Sequence, residues 1–213
     1  MDFQPLEYLY IPSGKDGAQT LLLLHGTGGD ERDLLPLTKN LGDGFNVLSV
    51  RGNVLENGMP RFFKRIGMGI FDEHDLEFRS AELIDFLEKI SIEKGFDISK
   101  IIALGYSNGA NIAGAILMLK PDFLSGAILF RPMKPFRDKA FAANETHTPI
   151  FMSSGKNDPT VQHDDTRTFS DSLKKAGFAV DHFEMDSGHN LTQEDLNLAA
   201  VWFNRNYRDL LVN

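Results

Sequence analysis

Gly105-Tyr106-Ser107-Asn108-Gly109 places a serine between two glycines, each two residues away. A serine hydroxyl is a weak nucleophile until a base reaches it, so it must stand clear of the backbone on a tight turn. Glycines at those two positions remove the Cβ atoms that would collide where a strand passes into a helix. The apolar run Ile101-Ile102-Ala103-Leu104 precedes the pentapeptide and the helix-compatible stretch Ala110–Lys120 follows it. Strand, sharp turn and helix are the setting of a G-x-S-x-G nucleophile elbow. The bland alternative is a Gly-rich turn in which Ser107 merely caps the helix.

Acyl transfer puts negative charge on the former carbonyl oxygen, and N–H donors must already point there. One donor is the N–H after the nucleophile, here Asn108; the other comes from a loop after an earlier strand. His25-Gly26-Thr27-Gly28-Gly29 occupies that place and nominates Thr27. A phosphate-cradling reading of this loop fails, because G-x-G-x-x-G would need glycine at Glu31.

A base and an orienting acid should follow the serine in the order Asp/Glu, then His. Among six histidines, His25 belongs to the Gly-rich loop, and His74 lies at a helix start. His147 and His163 do not follow the last strand, and His182 lies on that strand's polar face. His189, in Ser187-Gly188-His189-Asn190, comes just after the last strand and is the candidate base. Asp158 follows the strand Ile150–Ser154 by a short loop and is the candidate acid. Asp186 is the competitor, but it lies too close to His189 in the chain to approach the imidazole from an independent support. Zinc held by His182, Asp186 and His189 is disfavoured, since strand-then-loop spacing does not converge the three. No metal or cofactor is expected.

The elements that must position these residues follow from hydrophobic periodicity. Leu6–Ile11 reads as an edge strand, while Thr20–Leu24, Phe45–Val50, Ile101–Leu104, Leu124–Phe130 and Ile150–Ser154 are largely apolar runs suited to a buried parallel sheet. Val180–Met185 alternates as a last strand. Helices are expected after Asp30, with Asp30 and Asp33 as caps, and over His74–Lys94, Ala110–Lys120 and Gln162–Ala176, with a final one behind the capping box Thr192-Gln193-Glu194-Asp195. Val54–Asp75 reads as a long irregular segment, and Arg131–Thr148 as a loop with one short helical piece. This alternation predicts one α/β domain over residues 1–213, with a doubly wound, mostly parallel sheet of about seven strands.

Net charge of −8 argues against nucleic acid or an anionic membrane as partner, and Cys 0 rules out a thiol nucleophile and fits a reducing compartment. Met1–Pro5 lacks the regions of a signal peptide and the apolar stretch Ala110–Leu119 is too short for a span, so a cytoplasmic location without membrane insertion is expected.

Together, His25-Gly26-Thr27-Gly28-Gly29-Asp30, Gly105–Ala110, Asn157-Asp158-Pro159 and Gly188-His189 resemble the phospholipase/carboxylesterase family of α/β-hydrolases. Phe62-Phe63-Lys64-Arg65 to Phe71-Asp72 resembles its bacterial branch of hydrolases associated with catechol and quinone stress. The resemblance implies a compact α/β-hydrolase fold without a large lid, a Ser107–Asp158–His189 triad, and oxyanion donors at Thr27 and Asn108. Acyl-protein thioesterases carry a bulky apolar residue where Thr27 stands, so their long-acyl preference is not implied.

Segments after strands should overhang the sheet's carboxyl edge, where ligands bind. On that basis Phe62, Phe63, Met68, Phe71 and Met133 are candidate walls of an apolar acyl or aromatic pocket, and Arg61, Arg65 or Arg131 candidate partners of a carboxylate. Two function classes follow: a serine esterase or thioesterase acting on a small-molecule ester, or a ligand-binding sensor retaining the fold. A homodimer is compatible with either.

Overall fold

All five residues of β2 (Thr20–Leu24) are buried, and successive side chains point to opposite faces. Leu22 and Leu24 enter one apolar cluster while Leu21 and Leu23 enter another. The computed structural model, which describes residues 3–207, repeats this two-sided burial in its central strands. Strands β1 (Tyr8–Ile11), β3 (Asn46–Val50), β8 (Ile101–Tyr106), β9 (Gly126–Phe130), β10 (Pro149–Gly155) and β11 (Ala179–Met185) join β2, with short β4–β7 between β3 and β8. The seven-stranded sheet has the order β1-β3-β2-β8-β9-β10-β11 and is parallel except for β1, the antiparallel edge strand.

Helices α1 (Glu73–Lys94), α2 (Asn108–Leu119) and α3 (His163–Lys175) pack on one face. Helix α4 (Gln193–Tyr207) covers the other face through Ala199, Trp202, Phe203 and Tyr207. The capping box of α4 is reciprocal. Asp195 Oδ2 accepts from Thr192 N–H and Oγ1–H, both at 2.8 Å, and Asp195 N–H reaches back to Thr192 Oγ1 at 3.3 Å. Among the described residues no helix is long and apolar enough to cross a membrane.

Three local expectations are corrected. The segment after Asp30 is not an α-helix but turns followed by a 3-10 helix, Leu35–Asn40. Pro36 removes one N–H, and Asp30 Oδ1 accepts from Arg32 N–H at 2.7 Å, closing a turn instead of capping a helix. Val54–Asp75 is not irregular. It forms two hairpins, β4 (Val54–Glu56) with β5 (Met59–Arg61) and β6 (Arg65–Gly67) with β7 (Ile70–Phe71), before α1 begins. The first turns on Asn57-Gly58 with φ of 52° and 80°, the positive pair of a type I′ turn. The loop 131–148 contains no helical piece; Asn111 Oδ1 and Asn144, not helical bonds, satisfy part of its backbone.

The chain leaves β2 toward β3 on one side and reaches β8 on the other, so the sheet reverses its winding there. Open α/β sheets bind ligands beyond the carboxyl ends of strands at such a switch point. Leu24 pairs with Gly105, which sets the Gly-rich loop after β2 beside the turn after β8.

Candidate active site

Ser107 sits between β8 and α2 with φ 51° and ψ −109°, a conformation an L-residue holds only when its surroundings impose it. The imposition comes from close approach. A Cβ at Gly105 would lie 2.6 Å from Ala110 N, and one at Gly109 would lie 1.9 Å from Leu24 O. Ser107 N–H donates to Phe130 O at 2.9 Å, and Asn111 N–H to Ser107 O at 2.9 Å, tying the turn to β9 and to α2.

His189 faces this serine. Its Nε2 is 2.9 Å from Ser107 Oγ and its Nδ1 is 2.7 Å from Asp158 Oδ2. The other carboxylate oxygen, Oδ1, accepts from Thr160 N–H at 2.7 Å and Val161 N–H at 3.0 Å, which leaves Oδ2 aimed at the imidazole. A carboxylate only accepts, so Nδ1 carries the proton and Nε2 is left to accept from the serine. Asp186, the rival acid, instead meets Asn157 Nδ2 at 3.3 Å, and His182 Nε2 lies 2.9 Å from Ser154 Oγ, so the zinc grouping is not assembled. The His163 side chain lies outside the described residues.

The loop carrying His189 is held by a residue whose part in it was not legible in the sequence. Arg131, with φ 56°, is fully buried, and its guanidinium makes six hydrogen bonds. Nε donates to Gly188 O at 3.1 Å, and Nη2 to Asn190 O at 3.0 Å and Ser187 Oγ at 3.1 Å. The fork also clasps both oxygens of Asp195, at 2.7 and 2.8 Å, with neither side chain accessible to solvent. Burial opposes ionisation of Asp195, but the donors from Arg131, Thr192 and Ser153 outweigh it and hold the carboxyl below the usual range. Tyr106 O–H adds a bond to His189 O at 3.2 Å, and burial raises its pKa, so the phenol stays a donor. Arg131 is therefore not a partner for a substrate carboxylate.

The backbone N–H groups of Thr27 and Asn108 make no hydrogen bond among the described residues, and both residues line the cleft that contains Ser107. The Asn108 side chain points elsewhere, its Oδ1 accepting from Phe62 N–H at 2.7 Å. Asn111 does the same for the other rim, its Oδ1 accepting from Met133 N–H at 2.8 Å. His25 braces the Gly-rich loop. Its Nδ1 lies 2.6 Å from Gly26 O and so donates, while Nε2 accepts from Gly52 N–H at 3.0 Å. Burial lowers the His25 pKa, which keeps the imidazole neutral in that arrangement.

The cleft encloses about 230 Å³. Met68, Phe71 and Met133 line it, but Phe62 and Phe63 do not. Their rings are 3% and 0% exposed and belong to the core, Phe62 against the His25 ring at 4.8 Å and Phe63 against Phe71 at 5.0 Å. The β4–β5 hairpin turns them beneath the rim, a placement that residue type alone does not reveal. Arg61 and Arg65 also line the cleft.

Residues 7–205 match the phospholipase/carboxylesterase family. MhqD of Bacillus subtilis is 41% identical over 93% of this chain and 98% of its own. Acyl-protein thioesterase 1 of Candida albicans is 26% identical over 87% of this chain and 91% of its own. The solved carboxylesterase of Bacillus cereus superposes with a TM-score of 0.91 at 42% identity, covering 94% of each chain. Sequence, sheet order and matches agree, and the chain belongs to the phospholipase/carboxylesterase family of carboxylic ester hydrolases.

Proposed function

We propose that this protein hydrolyses carboxylic esters, and thioesters of similar size, of short to moderate acyl or aromatic groups through a Ser107 acyl-enzyme. The observation that carries the reading is the unbroken run from Asp158 through His189 to Ser107, with bonds of 2.7 and 2.9 Å. Ser107 Oγ attacks the substrate carbonyl carbon while His189 Nε2 takes its proton. Asp158 holds the imidazole in the accepting tautomer and stabilises the imidazolium that forms. Charge on the former carbonyl oxygen is met by the N–H groups of Thr27 and Asn108, helped by the N-terminus of α2. The tetrahedral intermediate collapses, His189 delivers its proton to the leaving alcohol or thiol, and the acyl group remains on Ser107. Water then repeats the sequence in reverse and frees the acid.

Met68, Phe71 and Met133 supply apolar walls for the acyl or aromatic portion, and the cleft volume of about 230 Å³ favours small substrates. The test is labelling with a fluorophosphonate probe and turnover of p-nitrophenyl acetate. Mass spectrometry should find the adduct on Ser107, and Ser107→Ala should abolish both. Folded protein with no adduct and no turnover would favour a ligand-binding sensor on the same fold.

A further inference from the structure

Among the described residues the cationic side chains that line the cleft are Arg61 and Arg65, and no carboxylate lines it. This sign is local, since the chain as a whole carries −8. The two guanidiniums share one counter-ion set behind them. Arg65 clasps Glu56 through Nε and Nη2, each at 2.8 Å, and Arg61 Nη1 reaches the same carboxylate only at 3.4 Å. Two positive charges against one negative leave a positive charge facing the cleft.

Arg61 is held rigidly. Its residue is 3% exposed, Nε donates to Phe63 O at 3.2 Å, and Nη1 donates to Thr27 Oγ1 at 2.7 Å. Among the described residues nothing accepts from Arg61 Nη2. Arg65 Nη1 meets only the Met68 thioether, a weak acceptor, at 3.3 Å. Each guanidinium thus has one nitrogen not engaged by a strong acceptor. Burial, reinforced by Arg65, disfavours the charged form of Arg61, and Glu56 does not cancel this. A cation desolvated in this way is stabilised by an arriving anion.

We infer that Arg61 and Arg65 form an anion subsite, and that the esters this cleft takes carry a carboxylate a few bonds from the scissile carbonyl. The position follows from the direct bond between Arg61 and Thr27, the residue proposed above to supply an N–H to the oxyanion. Half-esters of short dicarboxylic acids have this shape. The inference rests on the esterase reading and narrows its substrate class.

The experiment compares kcat/KM for monoethyl succinate with that for its uncharged isostere ethyl 4-amino-4-oxobutanoate, with p-nitrophenyl acetate as a neutral reference. Wild type should prefer the charged ester by roughly tenfold to a hundredfold, the range of a hydrogen bond to a charged group. The preference should shrink as salt is added. Arg61→Met should bring the ratio to about one, and Arg65→Met should lower it partway. If Arg61→Met does not fold, Arg65→Met and inhibition of wild type by succinate against succinamide carry the same comparison. Turnover of p-nitrophenyl acetate with a charged-to-neutral ratio at or below one, or a ratio unchanged in the folded Arg61 variant, overturns the subsite and leaves the esterase reading standing. If folded wild type turns over none of the three and takes no fluorophosphonate, the esterase reading falls; calorimetry then decides the subsite alone, succinate binding without succinamide binding supporting it and equal or no binding overturning it.

Discussion

Arg131→Met should damage stability and activity by routes that a second substitution separates. The guanidinium and Asp195 are both 0% exposed, so its removal leaves a buried carboxylate without its cationic partner, held only by the neutral donors Thr192 and Ser153. Breaking one partner out of a buried pair costs about 3–5 kcal/mol, which for a domain of this size lowers Tm by roughly 6–20 °C. The same change removes the donors to Ser187, Gly188 and Asn190, which hold the loop on either side of His189. Hydrogen bonds from a charged donor contribute about 1.5–3 kcal/mol each. Losing even one such increment from the ordering of the loop should lower kcat about tenfold to a hundredfold, since about 1.4 kcal/mol is a factor of ten. Replacing both partners, as Arg131→Met with Asp195→Leu, removes the orphaned charge and should recover much of the Tm. It should not recover kcat, because the loop carbonyls still lack their donor. Thermal melting and kcat on p-nitrophenyl acetate, measured on all three proteins, provide the assay. Recovery of kcat together with Tm in the double variant would refute a positioning role and reduce Arg131 to a packing residue.

Asp158→Asn should lose about 10⁴ in kcat with Tm little changed, because the amide can favour the wrong imidazole tautomer, whereas Asp186→Asn should alter activity only a few-fold; the reverse pattern would move the acid to Asp186. His25 gives a pH signature. Its folded pKa is lowered, chiefly by burial with Arg51 assisting and Asp30 and Asp33 opposing, so the unfolded chain binds the proton more tightly. Its contribution to stability is full above about pH 6.5 and is lost as the pH falls from there through the folded pKa. His25→Gln keeps an acceptor toward Gly52 but cannot titrate, so its Tm should fall less steeply between about pH 6.5 and 5; identical slopes in the two proteins would exclude this linkage.

What the amino-acid sequence determined unaided was whatever local pattern encodes. Apolar runs such as Thr20–Leu24 announce strands buried on both faces, and Gly105 and Gly109 announce a turn that tolerates no Cβ. The order of Ser107, Asp158 and His189 along the chain, each just after a strand, was enough to nominate the three. The Asn57-Gly58 hairpin was also encoded, by a dipeptide whose positive φ angles are characteristic of that turn. The contacts that tertiary structure alone decided join residues far apart in sequence. Arg131 and Asp195 lie 64 positions apart, so nothing local distinguishes a guanidinium clasped in the core from one in water. Likewise Phe62 and Phe63 have the composition of a pocket wall, yet the hairpin before them turns both rings into the core and leaves Met68, Phe71 and Met133 at the cleft. Periodicity assigns a residue to an element and a face, but burial of a loop depends on which distant elements close over it, and that is a property of the packed chain.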